Sequence, residues 1–162
     1  MATTALQGNL HYSLSSNKLS KNTWIADTGA SDHMACSTCS MTEYTLCDNP
    51  INILMADGTT SPAKGHGTVC ISGLKLKSIL HVPGLRCNLL SVHKITQDMY
   101  CCVTFFPSYC LFQNQVLGRT IGNAKAKDGL YYLTEDRIFF LLQIRLFWQP
   151  QPMPRICCGI II

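Results

Sequence analysis

Short apolar runs alternate with Gly, Pro, Asn or Asp along this chain, and that punctuation constrains its fold more than any other feature. An amphipathic helix needs apolar residues at a 3.6-residue period over roughly ten or more positions, whereas a strand needs only about four to eight residues between turn signals. The runs have strand length, and they predict strands over 23–26, 51–56, 68–72, 74–81, 103–106, 110–113, 116–121 and 130–133. An all-β domain follows. Asp57-Gly58, between the apolar Ile51/Ile53/Met55 set and Gly65-His66-Gly67, has hairpin chemistry because Gly tolerates positive φ. One short helix is expected, capped by Asn88, with Leu89, Val92 and Ile95 on one face and an end near Asp98.

The chain is long enough to bury a core and too short for two catalytic domains: 162 residues, 47 % hydrophobic and only 14 % charged. Its net charge of +4 is scattered, without a basic run, so direct nucleic-acid binding is not expected. The segment 1–20 lacks the apolar core of a signal peptide, and the longest apolar stretch, 138–148, falls short of the ~20 residues that span a bilayer. A cytoplasmic protein with no membrane span is the expectation, and its ten cysteines are then read as thiols. His33, Cys36, Cys39 and Cys47 have some zinc-like spacing, but a second ligand pair at the usual interval is missing. Cys101-Cys102 and Cys157-Cys158 are adjacent pairs that suit one tetrahedral ion poorly, so no metal is expected. Gly65-His66-Gly67 lacks the Lys-Ser/Thr ending of a phosphate loop, so no nucleotide cofactor is expected either.

The chemistry concentrates in Trp24-Ile25-Ala26-Asp27-Thr28-Gly29-Ala30-Ser31, an apolar strand that runs straight into Asp-Thr-Gly-Ala. A carboxylate at the end of a buried strand is rigidly placed, the following Thr can bond neighbouring backbone, and Gly29 permits a close turn. Such a carboxylate can act as a general base on water. Peptide hydrolysis by this route needs two carboxyls that share a proton, and the chain carries a single motif of this kind.

Three segments, WIADTGASDHM (24–34), LMADGTTSPAKGHGTV (54–69) and ILHVPGLRCNLLSV (79–92), together resemble the retropepsin-like aspartic proteases. The resemblance is closer to the protease region of copia-type retrotransposon Pol polyproteins, including the β-barrel domain of TNT-type elements. GLYYL (129–133) resembles the start of the region between protease and integrase. The resemblance implies a small closed β-barrel with a flap hairpin and one short helix. It implies Asp27 as the catalytic aspartate, Thr28 bonding across a homodimer interface and Gly29 shaping the turn. Ala30, Ser31 and Asp32 would flank the substrate backbone, and the hairpin bearing Asp57, Gly58, Gly65, His66 and Gly67 would close over it. The substrate implied is a peptide of the polyprotein itself, cut without metal or cofactor. The terminal strands of retroviral dimers are not recognisable. The chain is thereby divided into a flexible N-terminal segment (1–22), the barrel (23–121), the start of a connecting region (122–136) and an atypical hydrophobic tail (137–162) that contributes little to the barrel. The competing expectation is a catalytically inactive β-barrel remnant that serves as a structural or peptide-binding module.

Overall fold

A computed structural model describes residues 22–134. The segment 1–21 and the hydrophobic tail lie outside the described residues. The chain runs through β1 (Trp24–Asp27), β2 (Met34–Ala35), β3 (Met41–Leu54), β4 (Thr60–Ile71), β5 (Leu74–His81) and β6 (Asn88–Ser91). It continues through the one helix among the described residues, α1 (Val92–Asp98), then β7 (Cys101–Phe105), β8 (Tyr109–Asn114), β9 (Thr120–Lys127) and β10 (Leu130–Leu133). The all-β expectation is met.

All ten strands join one sheet in the order β3-β4-β5-β2-β6-β1-β10-β9-β8-β7. β1 lies between β6, to which it is parallel, and the antiparallel β10. A strand covered on both faces reads as a continuous apolar run rather than an alternation, and β1 does so: Trp24 and Ile25 are both buried, in two different core clusters. The main cluster gathers Trp24, Val69, Leu74, Leu76, Ile79, Leu90, Ile95 and Phe112. Along β5 the in-out alternation of Leu74 and Leu76 breaks at Ser78, whose φ of 53° marks an extra residue opposite the Gly67/Val69 step of β4. That bulge returns Ile79 to the core.

The sheet departs from three expectations. First, it is not closed among the described residues: β3 and β7 are its two edges. Second, no strand spans 116–121. Asn114 accepts the amides of Val116 (3.1 Å) and Leu117 (2.9 Å) on its side chain, which winds 115–117 into a turn, leaves both apolar side chains exposed and delays β9 to Thr120. Third, Asn88 does not cap the helix. Residues 88–91 are strand β6, and Ser91 is the N-cap, its hydroxyl accepting the Lys94 amide at 3.1 Å. Asn88 is instead buried, its side-chain oxygen accepting the Cys36 amide. The helix ends at Asp98, as the spacing predicts. The boundary drawn after Ile121 falls inside β9, and β10, in the expected connecting region, pairs with the strand that bears Asp27.

Candidate active site

Asp27 is the last residue of β1, in parallel register with Ser91 at the end of β6. Its Oδ1 accepts the Gly29 amide at 2.8 Å, so the carboxylate folds back onto its own turn. It is half-buried, whereas Thr28, Gly29 and Ser31 on the same loop are exposed. Ser31 donates its hydroxyl to Asp32 Oδ2 at 2.9 Å. Ala30 faces the other way: it is buried, and its carbonyl accepts the Ser91 hydroxyl at 2.6 Å. The loop therefore shows its Thr-Gly and Ser outward while its middle is bonded to β6.

His33 closes the loop on its inner side. It is completely buried, and its Nδ1 accepts the Ser91 amide at 3.1 Å. Its backbone carbonyl takes the Leu80 amide, tying the loop to β5 as well. Burial lowers its pKa from 6.5 to about 4; Asp98 and Asp32 oppose that shift and Lys94 reinforces it. Cys87, buried next to this region, is pushed up to about 11 by burial, with the Cys36 and Asp27 charges adding to the effect. The zinc-like spacing does not become a cluster: among the described residues no three His, Cys, Asp or Glu side chains gather to hold a metal ion.

The expected hairpin is present as β3–β4. Its tip is the 55–59 turn, where Asp57 Oδ1 accepts the amide and hydroxyl of Thr59 (2.9 and 2.6 Å) and Gly58 takes a φ of 82°. Gly65, His66 and Gly67 are not at that tip; they lie in β4, near the hairpin root. His66 is exposed and sits in one continuous cross-strand row, His66–Leu80–Met34–Leu89–Ile25, four strands away from β1. At ~4.8 Å per strand this is roughly 19 Å along the sheet. Gly65 and Gly67 have a packing role: a Cβ on Gly65 would meet the Thr45 carbonyl and the Tyr44 hydroxyl at 2.5 Å, and one on Gly67 the Thr42 carbonyl at 3.1 Å. Beside them the Tyr44 hydroxyl bonds His81 Nδ1 at 3.0 Å.

The structure thus gathers 27–32 on one anchored loop, places 57–58 at a separate hairpin tip and puts 65–67 in the hairpin's base. The resemblance implies 83–91 as a segment that supports the active-site strand, but not the anchoring role of Ser91 within it. Its only sequence signal is a hydroxyl directly before a helical segment, which is cap chemistry. No helix among the described residues is long and apolar enough to cross a membrane.

Residues 24–100 match the family described as Pol polyprotein, beta-barrel domain. The retrovirus-related Pol polyprotein from transposon RE1 of Arabidopsis thaliana is 29 % identical over 116 residues, which cover 69 % of this chain and 8 % of that protein. The corresponding polyprotein from transposon RE2 of the same plant is 27 % identical over 114 residues, 68 % of this chain and 8 % of its own length. The chain spans less than a tenth of the length of either relative. Residues 24–100 are thus similar to the Pol polyprotein β-barrel domain family, and the two relatives liken the chain to a short part of a retrotransposon Pol polyprotein.

Proposed function

We propose that this segment is an aspartic endopeptidase that cuts its own polyprotein as a homodimer, with one Asp27 from each chain. The observation that supports it best is the placement of Asp27. It ends a central strand buried on both faces, and its carboxylate is held by the Gly29 amide beside an exposed Thr-Gly turn. Rigid mounting with one open side is what a shared dyad requires.

In this reading one Asp27 carboxylate takes a proton from water as the oxygen attacks the scissile carbonyl, and the partner carboxyl donates its proton to the carbonyl oxygen. One carboxyl gives its proton to the leaving amine as a hydroxyl of the tetrahedral diol returns one to the other carboxylate, the C–N bond breaks, and the dyad again holds one proton. Two carboxyls at such range cannot both ionise cheaply, so the pair shares one proton. Thr28 bonds across the dimer, Ser31 and Asp32 flank an extended peptide while Ala30 anchors the loop from behind, and the Asp57–Gly58 tip closes over the peptide. The chemistry draws on no metal or cofactor, and its setting is the cytoplasm.

The test is cleavage of a polyprotein junction peptide by the full chain and by Asp27→Asn. Specific activity that rises with protein concentration, disappears in the variant and is suppressed by mixing in excess variant supports the dyad. Concentration-independent cleavage, or cleavage by Asp27→Asn, excludes it. A folded dimer that cuts nothing points to the inactive, peptide-binding alternative.

A further inference from the structure

His33 plays no part in the chemistry above, yet it is the most deeply buried polar side chain of the loop that carries Asp27, at 0 % exposure. Because its Nδ1 accepts the Ser91 amide, that nitrogen has no proton and the neutral ring carries its hydrogen on Nε2. Among the described residues Nε2 has no hydrogen-bond partner. Ser91 is bonded three ways: its amide to His33, its hydroxyl to the Ala30 carbonyl, and the same hydroxyl from the Lys94 amide at the start of α1. The ring thus sits where the Asp27 loop, β6 and α1 meet. The charged groups that face it are Asp98 and Lys94 from α1, themselves paired at 3.9 Å, and Asp32 from its own loop.

We propose that His33 is a positioning residue: its neutral ring locks the Asp27 loop onto Ser91, and protonation of the ring releases that lock and switches the site off in acid. A proton on Nδ1 would set two donors face to face, N–H against N–H, so the ring must turn or Ser91 withdraw. Withdrawal of Ser91 frees the Ala30 carbonyl, three residues from the carboxylate. The lock resists acid because burial opposes the charge, with the ring's pKa at about 4 instead of 6.5. Since the folded value is the lower one, the unfolded or released loop binds protons first. The lock is fully present above 6.5 and is lost as pH falls through 4. A carboxyl dyad works best with one proton, which favours acid; His33 sets the opposite limit and narrows the window. That catalytic consequence rests on the protease reading, but the lock does not, so the test reads the loop and not cleavage.

The experiment is an NMR pH titration of the full chain that follows the His33 ring nitrogens and the Gly29, Ala30 and Ser91 amides, repeated on His33→Asn. Asn offers an acceptor oxygen near the Nδ1 position and cannot be protonated. The expected result is a ring protonated on Nε2 at pH 7 and loop amides that shift with the ring's own midpoint, well below 6.5. In His33→Asn the neutral-pH spectrum should be kept and at least half of the acid step lost. A ring already charged near pH 6.5, amides that ignore its protonation, or an undiminished step in His33→Asn would overturn the proposal, the last because Asp27, Asp32 and Asp98 would then carry the step. If His33→Asn does not fold, the coincidence or divergence of ring and amide midpoints in the wild type decides alone. Failure to cleave any peptide would overturn the protease reading and leave this result standing.

Discussion

The Asp27 loop and the β3–β4 hairpin hang from the same sheet and are held in opposite ways. The loop is short, and buried polar groups fasten it: Ser91 to Ala30, His33 to Ser91, Leu80 to His33. The hairpin is long, with a 14-residue β3 that shows Leu46, Ile51 and Leu54 to solvent and shifts register twice against β4. Glu43, with a φ of 54°, sits in the first of those shifts. Gly65 and Gly67 let β3 lie close at the hairpin's root, where Tyr44 bonds His81, and farther up only Ala63 and Ile53 reach a core cluster, with Met34 and Val82. Buried polar bonds fix a group in one geometry, whereas an exposed ladder with few core contacts opens at low cost. In the protease reading the two constructions serve two needs, a carboxylate held still and a cover that moves.

The contrast can be tested from its strongest point downward. In the protease reading, Asp27→Asn should reduce peptide cleavage on the order of 1,000-fold, since it removes the proposed acid-base group. The melting temperature should stay within a few degrees, because an amide oxygen still accepts the Gly29 amide. Next, Leu90→Ala, at 0 % exposure behind the loop, should cost about 2–5 kcal/mol in denaturant unfolding. Leu46→Ala, at 69 % exposure on the hairpin, should stay within about 0.5 kcal/mol. Equal losses would show that the hairpin is packed as firmly as the loop. Stability measured against pH should fall between 6.5 and about 4 by roughly 3 kcal/mol in excess of the His33→Asn variant. Finally, Gly65→Ala should cost about 1–3 kcal/mol, because its Cβ would strike the Thr45 carbonyl. Gly58→Ala at the open tip should cost only about 1 kcal/mol, from its positive φ alone. Reversal of that order would place the hairpin's anchor at its tip.

Several of these features were legible in the residues. Turn punctuation at strand-length intervals gave the all-β class and the bounds of β5 and β10, since alternation and turn chemistry are local properties. Trp24-Ile25 announced a strand buried on both faces, and the Asp-Thr-Gly turn after it marked the carboxylate. The Asp57-Gly58 hairpin was equally local, a carboxylate that bonds its own backbone and a glycine at positive φ. What required tertiary structure was every role that depends on residues far apart in the chain. His33 and Ser91 are 58 positions apart, so nothing in the sequence tells a buried, neutral acceptor from a metal ligand or a carboxylate partner. The same distance in sequence hid why Asn88 is a strand residue and Ser91 the cap: the cap is chosen by where β6 stops pairing with β1. Gly65 and Gly67 read as a turn or a flap because their reason is the backbone of β3 lying over them. Local sequence fixes which backbone conformations are cheap, and only long-range pairing decides which polar atoms are buried together, hence which carry the site.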